Sequence, residues 1–103
     1  MDESKELLNM MKDCCRDIGF GILAGKSTFK LFEECAREYQ LTVPPEKIEL
    51  RFFGYIGLVI VNIDRNYDYY PSQEVKDAML ECFNTITDIL WSYSDDKDAE
   101  SLS

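Results

Sequence analysis

An all-α, single-domain bundle of about four helices is the fold this sequence predicts, and three observations predict it. Apolar residues recur at helical spacing in four separate stretches. Proline, glycine or a short hydroxyl residue punctuates each stretch, as helix ends require. Only one stretch, residues 47–63, also reads as strand.

The first helix is expected to start at Ser4, whose oxygen suits the free N–H groups of an opening turn. Leu7, Met11, Cys14 and Ile18 then form a stripe, widened by Leu8 and Cys15. Gly19 and Gly21 interrupt it, since each costs about 1 kcal/mol against alanine inside a helix. Residues 20–24 either continue this helix or make a short turn, and Gly25 suits its C-terminal end. Ser27 or Thr28 is expected to cap the second helix, with Phe29, Phe32, Cys35 or Ala36, and Tyr39 on its apolar face. Gly25-Lys26-Ser27-Thr28 resembles the end of a phosphate loop, but Phe20 stands where that motif needs its first glycine.

Pro44-Pro45-Glu46 reads as the entrance to a third helix, because proline fits a first turn and glutamate suits the positive end of the helix dipole. Ile48, Phe52, Tyr55 or Ile56, Val59 and Ile63 lie on one helical face. Residues 47–52 also alternate strictly, and Leu58–Val61 is rich in β-branched side chains, so an α+β alternative with a hairpin over 47–63 stands beside the helix. A lone hairpin is marginal without a third strand, which favours the helix. On that reading the helix is central, and Gly54 and Gly57 admit a neighbouring backbone. Ser72 behind Pro71 caps the last helix. Its stripe is Val75, Met79, Cys82, Ile86, Ile89 or Leu90, and Tyr93, broadened by Ala78, Phe83 and Trp91. The domain is expected to span 1–93, with 94–103 a flexible acidic tail.

The chain has 103 residues and a net charge of −9, from 20 acids and 11 bases. That charge is unevenly placed. Residues 1–63 hold 10 acids and 8 bases, net −2, while residues 64–103 hold 10 acids and 3 bases, net −7. Such a field repels nucleic acid and anionic lipid and favours a basic protein partner. The N-terminus lacks a signal peptide's basic start and apolar run, and no apolar run reaches membrane-spanning length, so a cytoplasmic protein is expected. The four cysteines, Cys14, Cys15, Cys35 and Cys82, lack metal-site spacing and read as small buried hydrophobes. With no histidine there is no ordinary general base near neutral pH. Neither enzyme activity nor a cofactor or metal is expected.

Between the most apolar run and the last helix lies Asp64–Glu74, with three tyrosines and three carboxylates. Aromatics with polar tips anchor interfaces, and surrounding carboxylates select a cationic partner. The candidate partner-binding residues are therefore Tyr67, Tyr69, Tyr70, Asp64, Asp68, Glu74 and Asp77. The competing reading tucks one or two tyrosines under the loop and leaves the acids on a solvated face. Asp64 and Asp68, four apart, lack the longer acidic pattern and central glycine of a calcium loop.

Tyr69-Tyr70-Pro71-Ser72, followed by a helix and Trp91, resembles the immunity proteins of DNase colicins and pyocins. There a Tyr-Tyr-Pro segment on a short third helix is the toxin-binding core of a four-helix bundle. Gly21–Tyr39 followed by Phe52–Asp64 is similar to the colicin D immunity type, which is helical, acidic and covers its toxin's basic active site. The resemblance implies that Tyr69 and Tyr70 are binding hot spots and that the partner is a nuclease toxin. Two other readings stay open: a nucleic-acid mimic acting on a DNA-binding protein, and a helical adaptor, monomeric or dimeric.

Overall fold

The structure, a computed structural model, describes residues 2–19 and 24–93. Among these residues are four α-helices: α1 (Glu3–Gly19), α2 (Lys26–Thr42), α3 (Leu50–Asn66) and α4 (Gln73–Tyr93). Single 3₁₀ turns, Pro45–Lys47 and Tyr67–Tyr69, lie in the last two connections. Among the described residues there is no strand, so residues 50–66 are helix and the hairpin alternative falls.

The stripes close one core. Leu8, Met11, Cys14, Cys15 and Ile18 meet Phe29, Phe32, Cys35, Ala36 and Tyr39 from α2. Phe52, Ile56, Val59 and Ile63 enter from α3, and Ala78, Met79, Cys82, Ile86 and Ile89 from α4. Around this core the helices neighbour one another in the order α1–α2–α4–α3. End-to-end pairs fix their directions. Lys26 Nζ donates to Glu74 at one end of α2 and α4 (2.9 Å), and Gln40 Nε2 donates to Ser92 Oγ at the other (2.7 Å), so these two run parallel. Phe52, at the start of α3, packs on Tyr39 and Tyr93 at the ends of α2 and α4, so α3 runs against both.

That junction is an aromatic knot. Phe52 stacks on Tyr39 at 4.4 Å and meets Phe53 and Tyr93 edge-on at 5.5 and 6.5 Å. The Tyr39 hydroxyl accepts the Glu49 backbone N–H (3.1 Å), satisfying a donor just before α3 begins.

Several boundary expectations need correction. Asp2, not Ser4, caps α1: its carboxylate accepts the Ser4 N–H at 3.1 Å and the Ser4 hydroxyl at 2.6 Å. Ser4's hydroxyl holds the Asp2 carboxyl below its ordinary range. Gly25 precedes α2 as its N-cap rather than ending α1, and Ser27 and Thr28 lie inside the helix. The Pro-Pro-Glu segment makes a 3₁₀ turn, and Ile48 and Glu49 are extended before α3 starts at Leu50. Helix α3 is not central. It neighbours α1 and α4 but leaves Leu50, Gly54, Leu58 and Val61 exposed. Among the described residues a Cβ at Gly54 or Gly57 would meet nothing within 4 Å, so no neighbouring helix approaches either. Trp91 points outward rather than broadening the α4 stripe. Ser72 does cap α4, its hydroxyl accepting the Val75 N–H at 3.4 Å. The expected acidic tail lies outside the described residues.

The four thiols are buried and free. Burial pushes Cys14 and Cys15 up to about 12 and raises Cys35 and Cys82 as well, so none is a thiolate near neutral pH.

Glu33 is drawn into the α2–α4 seam, where its Oε1 is buried without a hydrogen-bond partner. Burial, then Glu81 across the seam, raises its pKa; the Thr85 hydroxyl, Lys30 and Arg37 oppose this. The folded state thus holds this proton to higher pH than the unfolded chain does. Its contribution to stability is present in mild acid and is lost as pH rises through the folded value. Glu33→Gln should therefore raise stability at pH 7 and change it much less at about pH 4, as read by urea unfolding at both pH values.

Candidate interaction site

The seam between α3 and α4 opens into a groove of about 260 Å³ lined by Ile63, Asp64, Tyr67, Asp68, Leu80 and Phe83. Its floor is made by chain geometry. Ile63 and Tyr67 are four apart on the α3 spiral, and Leu80 and Phe83 are three apart on α4. Asp64 follows Ile63 on the outer side, and the 3₁₀ turn Tyr67–Tyr69 carries Asp68 to the same rim. Among the described residues neither Asp64 nor Asp68 is in an ion pair. An apolar floor beneath two carboxylates outside any ion pair suits a long cationic side chain, whose methylene stem packs while its head meets the charge.

The three tyrosines part company. Tyr69 is 73% exposed on the tip of the turn, whereas Tyr70 is 3% exposed and meets the Phe29 ring edge-on at 6.0 Å. The chain becomes extended at Tyr70 (φ −78°, ψ 127°), which swings this ring under the turn and into the core. Tyr70 is thus a buried anchor of the loop and not a surface hot spot. Burial also raises the Tyr70 hydroxyl's pKa. Tyr67 is half-buried, with Lys76 Nζ 5.4 Å from its ring centroid, so part of that ring already faces a cation.

The α4 acids are not one group. Glu74 is tied to Lys26 at 2.9 Å and faces α2, away from the groove. Asp77 accepts Gln73 Nε2 at 3.0 Å on the outer face. The structure therefore brings Asp64, Tyr67 and Asp68 together with Tyr69 beside them, and leaves Glu74 and Asp77 apart.

Sequence reasoning missed Leu80 and Phe83 as groove residues. It also missed a second cleft of about 500 Å³ further along the α3–α4 seam, lined by Phe53, Thr87, Leu90, Trp91 and Tyr93. The available signal was apolar residues off the buried stripe: Leu80 and Trp91 lie opposite Cys82 on the α4 spiral, and both are exposed.

Among the described residues no group of three or more Cys, Asp or Glu is placed to hold a metal, and no helix is long and apolar enough to cross a membrane. Searches against protein-family models, curated proteins and solved structures found no match.

Proposed function

We propose that this chain binds a basic protein and neutralises it by occlusion, in its most specific form as an immunity protein against a nuclease-type toxin. The observation that carries the reading is the groove at Asp64 and Asp68, with exposed Tyr69 next to Asp68 in the turn. A lysine or arginine of the partner enters the groove, and the carboxylates stand where that partner would bind nucleic-acid phosphates. The overall −9 charge speeds encounter with a cationic surface. A covered active site admits no nucleic acid, and neutralisation needs no chemistry from this chain.

Mixing the chain with basic nuclease-toxin domains is the test, read by calorimetry and by nuclease activity. Asp64→Asn with Asp68→Asn should weaken binding by about 10- to 100-fold and flatten its salt dependence, since charge-assisted contacts of about 1.5–3 kcal/mol are lost. Absence of any complex, or a complex indifferent to both changes, refutes the reading.

A further inference from the structure

We propose that the outward face of α3 is where two copies of this chain meet, packed antiparallel with Gly54 and Gly57 at the crossing. The helix is built on two opposed tracks. Phe52, Ile56, Val59 and Ile63 are buried, while Leu50, Gly54, Gly57 and Val61 repeat the same spacing on the other side. Leu50 is 86% exposed and Val61 49%. Among the described residues nothing requires the two glycines, because a Cβ at either position meets none of their atoms within 4 Å. Each costs the helix about 1 kcal/mol against alanine. What a glycine in a helix gives is close approach of another backbone, and none of the described residues supplies one.

Charge selects the occupant. Residues 52–63 contain no charged side chain in a chain of net −9, so this is where two copies approach with least repulsion. A basic protein gains nothing electrostatic from the same face. The antiparallel sense follows from the ends. A parallel pair sets Asp64 and Asp68 of one copy beside the same carboxylates of the other. An antiparallel pair sets them near the start of the other α3, where Lys47 and Arg51 balance Glu46 and Glu49, Arg51 pairing with Glu49 at 3.3 Å, and the positive end of the helix lies. In that register Gly54 stands level with Gly57 of the second copy, and Leu50 with Val61. The contact is self-complementary, as a twofold pair requires. Helices of 17 residues, about 25 Å long, bury on the order of 1,000 Å² in total, the low end for a specific interface. The dimer is weak and concentration-dependent.

Sedimentation equilibrium of the chain alone, from about 5 to about 200 μM, tests this without reference to any toxin. The expected result is a reversible monomer–dimer equilibrium within that range. Gly54→Ala with Gly57→Ala should weaken it by at least about tenfold while leaving the dilute monomer's melting temperature unchanged or higher, because alanine fits the folded monomer and favours helix. Leu50→Asp, which places a carboxylate at an exposed helix start, should weaken the dimer likewise. A wild type that stays monomeric throughout, or a dimer untouched by both variants, overturns the proposal.

Discussion

Phe52→Ala should cost about 3–5 kcal/mol of folding stability, the largest single effect expected in this domain. Phe52 is fully buried, stacked on Tyr39, and in edge contact with Phe53 and Tyr93. Truncation leaves a cavity where the end of α2, the start of α3 and the end of α4 converge. The loss includes aromatic pairing worth about 0.5–1.5 kcal/mol per pair beyond the buried area. For a domain of this size the melting temperature should fall by roughly 12–30 °C. That is much of a small domain's total stability, which is about 5–15 kcal/mol. Thermal unfolding followed by far-UV circular dichroism measures it, and a shift of only a few degrees would mean the knot is not closed in solution. Phe52→Leu, which refills most of the volume, should recover more than half of the loss.

Tyr69→Ala and Tyr70→Ala, one residue apart, should fail in opposite ways. Tyr70 lies in the core against Phe29, so its truncation should cost about 3 kcal/mol of stability. Tyr69 stands in solvent, so its truncation should change stability by less than about 0.5 kcal/mol. Against a basic partner the order reverses. Tyr69→Ala should weaken binding by about 2 kcal/mol, roughly 30-fold, as the loss of an interface aromatic does. Tyr70→Phe should bind as the wild type does. Chemical unfolding and calorimetric titration of the same variants separate the two roles, and equal binding losses for Tyr69→Ala and Tyr70→Phe would show that the ring assignment is wrong.

The stripes were legible because burial forces a helical period on the sequence. Phe29, Phe32, Cys35, Ala36 and Tyr39 on α2, and Met79, Cys82, Ile86 and Ile89 on α4, are all buried where the spacing puts them. The helix over residues 50–66 was legible only as the better of two choices, since the alternation through residue 52 carries a real strand pattern. The caps were less visible. Asp2 and Ser4 both offer oxygens, and the difference between them is a matter of two residues of backbone. Least visible was the division of labour among Tyr67, Tyr69 and Tyr70. All three share one composition-level signal, and only the 3₁₀ turn followed by an extended residue sends the last ring inward. Leu80 and Phe83 became groove residues only once α3 was known to lie beside α4.

The order α1–α2–α4–α3 also bears on how the chain finds its fold. Helices α1 and α2 form one sequence-local hairpin, and α3 and α4 form another, each closing a loop of modest entropy. Pairing α2 with α4 and α1 with α3 requires the two hairpins to dock across the 43–49 connection, a non-local step. Tyr39 belongs to the first hairpin, and Phe52, Phe53 and Tyr93 belong to the second. The aromatic knot is therefore the seam along which two quickly formed halves become one cooperative unit.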